Sequence, residues 1–324
     1  MSRAHDLLDL ATLAPEEITG LMQRASAYKQ GLRTQALAGR AVGLLFEKPS
    51  TRTRVSFEVA IHRLGGYPVH LPPTGLQTGR GETVADTARV LSGYLDALVI
   101  RTFEQERLEA WARHATIPVI NGLTDLHHPC QILADLFTLY QRRGRLAGLT
   151  LVYVGDGNNI SHSLMEGGAL MGMRVIVVTP EARMPNAGIT KRAQRMANLH
   201  AGEVLIQHDP QKAAEGADVL YTDVWVSMGQ ADDPAHIAAL RPYQINANLI
   251  ARAHPDVLVM HCLPAHRGEE ITEEAMEGPA AVIFEQAANR LPIQQAILER
   301  WVGPADGGPV GDRGSGTDGG LGNS

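Results

Sequence analysis

Short apolar runs alternate with helical segments along nearly the whole chain, and this alternation restricts the fold more strongly than any other feature. The predicted strands cover residues 41–46, 97–100, 117–120, 150–154, 174–178, 203–206, 219–221, 257–260 and 281–284. Strands buried on both faces form continuous apolar runs, and parallel strands need crossover helices between them. The pattern therefore predicts an α/β fold, in which mainly parallel sheets are flanked by helices.

The alternation runs twice, and the two series meet near residues 135–150, so 324 residues fit two doubly wound domains. We expect a first domain over residues 1–140 and a second over residues 148–286. A C-terminal helix over residues 287–302 follows, which either domain could receive. The last 22 residues, 303–324, contain nine glycines and almost no apolar side chains, so we expect a disordered tail.

Composition and charge exclude several classes of protein. Acidic residues outnumber basic ones 35 to 29, whereas proteins that bind a nucleic-acid backbone usually carry a basic surplus. The sequence contains no run of about 18 apolar residues, the length that is needed to span a membrane. The charged N-terminus also lacks the apolar core of a signal peptide. Two cysteines, Cys130 and Cys262, are too few for a disulfide scaffold. We expect a soluble, cytoplasmic, globular protein with neither nucleic acid nor membrane as a partner.

Polar clusters follow the predicted strands, and ligands bind at these strand ends in parallel sheets. After the first strand, Ser50, Thr51, Arg52 and Thr53 stand at a predicted helix N-terminus. Free backbone N–H groups, the helix dipole and the Arg52 guanidinium would together hold a phosphate group. The alternative is an ordinary N-capping hydroxyl followed by a solvated arginine face. The position at a strand-to-helix junction favours the phosphate site.

Two further strand ends of the first half carry candidate residues. Arg101 is either a solvated strand end or an active-site cation, and the presence of Arg52 favours the second interpretation. His127 and His128 precede a helix that also contains Gln131. Because no carboxylate or thiol cluster at metal-ligand spacing accompanies these histidines, we expect no metal site. An imidazole and an amide directed at a carbonyl group are the better interpretation.

Three polar segments follow strands in the second half. Gly155 and Gly157 are typical of a dinucleotide-binding turn, but the third glycine and the later acidic residue are missing. Asp223 could pair with an ammonium group, or it could serve as a helix cap or turn residue. A lone cysteine is usually a small buried hydrophobe, but the position of Cys262 at a strand end favours a reactive role.

Together these segments resemble the aspartate/ornithine carbamoyltransferase family over about residues 5–302. Residues 50–54 and 128–131 are similar to the two carbamoyl-phosphate motifs of the family, which leave the acceptor open. Three further segments resemble the members that use ornithine: Asn159 with 155–158, Asp223 with 227–229, and 261–264.

The resemblance implies a set of site residues. The implied carbamoyl-phosphate contacts are Ser50, Thr51, Arg52, Thr53, Gln77, Arg101, His128, Gln131, Cys262, Leu263 and Arg290. The implied ornithine contacts are Asn159, Asp223, Ser227 and Met228. Asp223 and Cys262 would orient and deprotonate the amine, while Arg101, His128 and Thr53 would stabilise the oxyanion. The implied reaction needs no metal ion and no redox cofactor.

The resemblance also implies an architecture. The first domain would bind carbamoyl phosphate, the second would bind ornithine, and the helix over residues 287–302 would return to the first. The chain would form a homotrimer, or a multiple of trimers, with active sites near subunit interfaces. We expect the loop over residues 227–239 to close over ornithine.

Three other functions compete with this interpretation. A related transferase could use putrescine, N-acetylornithine or aspartate as its acceptor, and residues 227–229 argue against it. An NAD-dependent dehydrogenase would share the layout, but the missing glycine and carboxylate argue against a dinucleotide. A catalytically silent homologue would act as a binding subunit, yet every expected active-site residue type is in place.

Overall fold

The computed structural model describes residues 6–76, 81–226 and 233–304. The strands are β1 Ala41–Phe46, β2 Tyr67–Leu71, β3 Ala97–Arg101, β4 Val119–Leu123, β5 Thr150–Val154, β6 Arg174–Val178, β7 Glu203–Gln207, β8 Val219–Thr222 and β9 Leu258–His261. The helices are α1 Pro15–Lys29, α2 Thr51–Arg63, α3 Val84–Leu91, α4 Gln105–His114, α5 Pro129–Arg143, α6 Asn159–Leu170, α7 Ala187–Leu199, α8 Pro210–Ala213, α9 Pro234–Leu240, α10 Ala247–Ile250, α11 Glu273–Glu277, α12 Ile283–Ala288 and α13 Arg290–Val302.

The strands form two parallel sheets, one in each half of the chain. The first has the order β2-β1-β3-β4, and the second has the order β7-β6-β5-β8-β9. The strand order reverses between β1 and β3 in the first sheet and between β5 and β8 in the second. Loops that leave neighbouring strands at such a point diverge, and this opens a crevice at the carboxyl ends of the strands.

The central strands are apolar on both faces because helices cover both sides of each sheet. Val42 and Leu44 belong to a core that also contains residues of α1 and α13. Leu45, which lies between Leu44 and Phe46 in β1, faces the other side of the sheet. It packs in a second core with Trp111 of α4. This arrangement confirms the predicted α/β fold class, with helices on both faces of parallel sheets.

Helix α5 connects the two sheets, and its residues 129–139 are all buried. It packs closely against α6: a Cβ atom on Gly167 would lie 2.9 Å from Ile132 Cγ2. Helix α13 returns to the first half and packs against α1, α2 and α5. Arg24 Nε donates a hydrogen bond to Glu299 Oε2 at 2.5 Å and so ties α1 to α13. The C-terminal helix therefore contributes side chains near the first sheet.

Two strand predictions differ from the structure. Residues 281–284 do not form a strand; they lead into α12, and only an isolated bridge joins Ala281 to Val259. The run is apolar because α12 buries Ile283, and a short apolar run does not distinguish a strand from a buried helix. Strand β2 is missing from the prediction because it is an edge strand that contains Pro68 and leaves Tyr67 exposed.

Two helix predictions also need correction. The predicted C-terminal helix is two helices, since Ala287 belongs to α12 and α13 begins at Arg290. In the predicted loop over residues 227–239, positions 234–239 are part of α9, which Asp233 caps. Residues 227–232 and the tail from residue 305 lie outside the described residues. Within the described ranges, no helix combines the length and apolarity needed to cross a bilayer.

Candidate active site

A cleft of about 530 Å³ opens between the two halves, at the carboxyl ends of strands in both sheets. It lies where the strand order of each sheet reverses. The predicted site residues that line it are Ser50, Thr51, Arg52, Thr53, Arg101, His128, Gln131, Asn159, Asp223, Cys262, Leu263 and Arg290. The predicted residues Gln77, Ser227 and Met228 lie outside the described residues. Side chains that are far apart in the sequence thus meet in one cavity.

The N-terminus of α2 forms one wall of the cleft. Ser50 is its N-cap, because its Oγ accepts a hydrogen bond of 3.2 Å from the Thr53 backbone N–H. The first N–H groups of a helix have no intrahelical partner, and the first turn of α2 contains no acidic residue. Ser50 can therefore cap the helix while the other N–H groups of the first turn remain available to an anion. The positive end of the helix dipole lies at the same turn.

Two buried guanidinium groups lie beside this helix terminus. Arg101 and Arg290 are each only 5% exposed. Burial, followed by the positive charges of Arg290 and Arg52, lowers the pKa of Arg101 from 12.5 to about 10. Arg290 donates to Gln131 Oε1 and, at 3.2 Å, to Thr53 Oγ1, while Arg101 Nε has no hydrogen-bond partner among the described residues. A buried cation without a countercharge is costly, so this end of the cleft favours an anion.

The start of α5 supplies uncharged polar groups to the same end. Burial, reinforced by Arg290 and Arg101, lowers the pKa of His128 well below its usual value. The His128 imidazole is therefore neutral at pH 7 and can donate one hydrogen bond. Gln131 Nε2 donates to Asp135 Oδ1 at 2.8 Å, which turns its carbonyl oxygen towards Arg290. Asp135 in this way fixes the orientation of the Gln131 amide.

The second sheet contributes a carboxylate to the cleft. Asp223 is only 6% exposed, and its Oδ1 accepts a hydrogen bond of 2.8 Å from Cys262 Sγ. Asn158 Nδ2 donates to Asp223 Oδ2, also at 2.8 Å. Burial and the charge of Asp223 raise the pKa of the Cys262 thiol well above its usual value. Cys262 is therefore a protonated donor, and within this pair Asp223 is the group that can accept a proton.

Several residues of the cleft are not among the predicted site residues, and Asn158 and Lys48 are two of them. Asn158 is the N-cap of α6, and its position between a strand and a helix was the available signal. The buried Lys48 ammonium pairs with Asp125 and lies 4.5 Å from the centre of the Phe103 ring. The neighbouring Asn159, which was predicted, donates to the Thr124 carbonyl at 2.7 Å.

The geometry can be compared with two alternative sites, a dinucleotide-binding turn at Gly157 and a metal site at Cys262. A Cβ atom on Gly157 would lie 2.3 Å from the Arg183 carbonyl oxygen, so this glycine accommodates the protein's own backbone. Asp223, His261 and Cys262 hold potential metal ligands within 4.8 Å of one another. Their ligand atoms already make internal hydrogen bonds: Cys262 donates to Asp223, and His261 Nδ1 accepts from the Leu263 N–H at 2.8 Å. A metal ion there would have to displace these bonds.

Two family models match most of the chain. Residues 5–141 match the model described as "Aspartate/ornithine carbamoyltransferase, carbamoyl-P binding domain", and residues 147–301 match the "Asp/Orn binding domain" of the same family. The chain belongs to the aspartate/ornithine carbamoyltransferase family. The anion-favouring end of the cleft is built mainly from the first matched segment, and the Asp223–Cys262 end from the second.

Relatives within this carbamoyltransferase family are similar over nearly their full length. Ornithine carbamoyltransferase from a Nostoc species is 53% identical over 302 residues, which cover 92% of this chain and 97% of the relative. The crystal structure of the Gloeobacter violaceus ornithine carbamoyltransferase is 48% identical, with a TM-score of 0.85 over 94% of this chain and all of that one. The Pyrococcus furiosus ornithine carbamoyltransferase has a TM-score of 0.88 at 47% identity, covering 92% and 97%.

Proposed function

We propose that this chain transfers the carbamoyl group of carbamoyl phosphate to the side-chain amine of L-ornithine, giving L-citrulline and phosphate. Relatives that are about half identical carry the name ornithine carbamoyltransferase. The observation that carries the proposal is the polarity of the cleft. The first half of the chain contributes the buried cation Arg101, to which α13 adds Arg290, and the second sheet contributes the carboxylate of Asp223. An anionic donor and a cationic acceptor therefore suit different parts of one cavity.

On this proposal the donor lies at the N-terminus of α2. The phosphate group accepts hydrogen bonds from the backbone N–H groups of Thr51 and Arg52 and from the guanidinium of Arg52. The carbamoyl oxygen faces Arg101 and the neutral imidazole of His128. The carbonyl oxygen of Gln131 accepts a hydrogen bond from the carbamoyl amide. Gln77 and the backbone of Leu263 complete the proposed donor site.

The acceptor lies beside Asp223. The side-chain ammonium of ornithine faces the carboxylate of Asp223, whose charge favours a cation in this buried position. Asn159 has its amide N–H engaged by Thr124, so its carbonyl oxygen is the group that can bind the amino-acid part of ornithine. Ser227 and Met228 are proposed to contact the same part of the substrate.

The proposed reaction has two steps. Asp223 accepts a proton from the ornithine ammonium, and the neutral amine attacks the carbonyl carbon, so that a C–N bond forms. Arg101, His128 and Thr53 donate hydrogen bonds to the resulting oxyanion, and donors of this type are each worth roughly 10²–10³ in rate. The intermediate then collapses, the C–O bond to phosphate breaks, and the leaving phosphate, which Arg52 stabilises, takes the remaining extra proton from the attacking nitrogen. Because the cleft holds both substrates side by side, it also removes much of the entropic barrier.

The test is citrulline formation from carbamoyl phosphate, with L-ornithine, putrescine, N-acetylornithine and L-aspartate offered separately as acceptors. We expect turnover with L-ornithine alone. Turnover with one of the other amines would keep the donor site and refute the proposed acceptor, whereas no turnover with any of them would refute the transferase activity.

We further propose that the chain works as a homotrimer in the cytoplasm and serves arginine biosynthesis. Tyr67 and Tyr94 are 70% and 75% exposed on the first half, and a subunit interface there would bury them. Cys130 and Cys262 are free thiols, which fits a reducing compartment. A similar structure, 35% identical, is the anabolic ornithine carbamoyltransferase of Campylobacter jejuni. Light scattering tests the assembly: a trimer has three times the chain mass of 34.9 kDa.

A further inference from the structure

A buried pair of residues lies directly behind the Cys262 segment. His261, the last residue of β9, and Glu270 are both completely buried. The His261 Nε2 atom lies 3.0 Å from Glu270 Oε1. The other ring nitrogen, Nδ1, accepts a hydrogen bond of 2.8 Å from the backbone N–H of Leu263. The imidazole therefore bridges a carboxylate and the backbone of the cleft wall.

These contacts fix the tautomer of the imidazole. Since Nδ1 accepts from a backbone N–H, the ring proton must lie on Nε2, which donates it to Glu270. The Glu270 Oε1 atom also accepts a hydrogen bond of 2.6 Å from the His266 backbone N–H. Glu270 is thus held by the far end of the same loop, and it holds His261 in a single orientation.

The anchored segment has an unusual conformation. Leu263 has φ = +60°, in the left-handed region that residues with a side chain rarely adopt. Such a conformation persists only where surrounding contacts determine it, and the hydrogen bond from Leu263 N–H to His261 is such a contact. Cys262, one residue earlier, directs its thiol to Asp223 at 2.8 Å. Losing the Leu263 anchor would therefore release both the Leu263 backbone and the Cys262 thiol.

We infer that Glu270 and His261 are positioning residues, which set the Cys262–Leu263 segment against Asp223 and so orient the acceptor amine for attack. This inference rests on the proposed function, because the amine is that of ornithine. Neither His261 nor Glu270 lines the cleft, so they act through the residues that do.

Two substitutions of His261 separate its two hydrogen bonds. In His261→Asn, the amide oxygen takes the place of Nδ1 and can still accept from the Leu263 N–H. In His261→Gln, the amide reaches the place of Nε2 and can still donate to Glu270, but the Leu263 N–H is left without its acceptor. Both variants remove the same ring and retain one bond, so each is the matched control of the other.

We expect His261→Asn to keep kcat/KM for ornithine within about 5-fold of the unsubstituted chain, and His261→Gln to lower it about 100-fold. The KM for carbamoyl phosphate should change less than about 3-fold in both variants. Glu270→Gln, whose amide oxygen still accepts from Nε2, should resemble His261→Asn, whereas Glu270→Ala should resemble His261→Gln. Equal losses in the Asn and Gln variants of His261 would overturn the inference, as would equal rises in the KM values of both substrates.

A second measurement does not depend on the reaction. We expect iodoacetamide to alkylate Cys262 about 10-fold faster in His261→Gln than in the unsubstituted chain or in His261→Asn, because a thiol released from its hydrogen bond to the Asp223 carboxylate ionises more readily. Cys130, which is completely buried, is the internal control, and its labelling reports global unfolding. Equal Cys262 labelling in all three chains would overturn the inference. Absence of citrulline formation by the unsubstituted chain would instead refute the proposed function and leave the labelling result valid.

Discussion

Replacing Arg101 by Met should make the ligand-free protein more stable and nearly inactive. Burial is the main reason why the pKa of Arg101 falls from 12.5 to about 10, and Arg290 and Arg52 add repulsion. At 1.36 kcal/mol per pKa unit, the folded protein disfavours the charged guanidinium by about 3 kcal/mol. Because the pKa is lowered, this cost is present below about pH 10 and disappears as pH rises from 10 towards 12.5.

A methionine fills a similar volume without the charge, and replacing buried charges by apolar residues is often stabilising. We therefore expect Arg101→Met to raise the free energy of unfolding by about 1–3 kcal/mol at pH 8, measured in urea without phosphate. The same substitution removes an oxyanion donor and should lower kcat by roughly 10²–10³. Carbamoyl phosphate should stabilise the unsubstituted chain more than the variant, since the ligand charge offsets the repulsion.

Arg54→Met is the matched control. Arg54 lies in the first turn of α2, does not line the cleft and pairs only loosely with Glu58 at 3.9 Å, so its loss should change stability and kcat little. An Arg101→Met variant that is less stable than the unsubstituted chain without ligand, or that keeps normal turnover, would refute the reasoning.

Two further perturbations test other parts of the cleft, and a third tests Glu166, a buried carboxyl group of α6 outside it. Arg52→Ala should raise the KM for carbamoyl phosphate at least about 10-fold with unchanged thermal stability, since a charge-assisted phosphate contact is lost; near-normal kinetics would contradict the phosphate assignment. Asp223→Asn should lower kcat by about 10²–10⁴ because the amide cannot accept the proton, and an unchanged kcat would contradict this role. Glu166 has its pKa raised to about 7, mainly by burial, so stability should fall as pH rises from 4.5 to 7. Glu166→Gln should flatten that dependence by about 1–3 kcal/mol in urea titrations at pH 5 and 8, and an unchanged slope would contradict it.

The sequence predicts the fold class and most of the cleft because both depend on local order along the chain. Ser50 to Thr53 and Cys262 follow strands and Arg101 ends one, and parallel strands present their carboxyl ends on one side. Arg290 is different, since nothing in its own segment indicates that α13 returns to the first half. Its assignment came from resemblance to the family.

The features that the sequence did not predict depend on tertiary contacts, which a local sequence pattern does not show. Residues 281–284 are apolar because of tertiary burial, and burial alone does not separate a strand from the start of α12. Strand β2 is half exposed at an edge, so it lacks the continuous apolar run of a central strand. The protonation of Cys262 depends on Asp223, 39 positions away, and appears only when the structure brings both groups to 2.8 Å.

The central claim is transfer between two substrates held in one cleft, and its most direct test is the stoichiometry of the reaction. Carbamoyl phosphate and L-ornithine would be mixed with the purified chain, and citrulline and phosphate would be measured in the same samples. We predict one citrulline formed for each phosphate released, with Arg101→Met and Asp223→Asn slowing both products together. Phosphate release that proceeds without citrulline, or at the same rate without ornithine, would contradict the account.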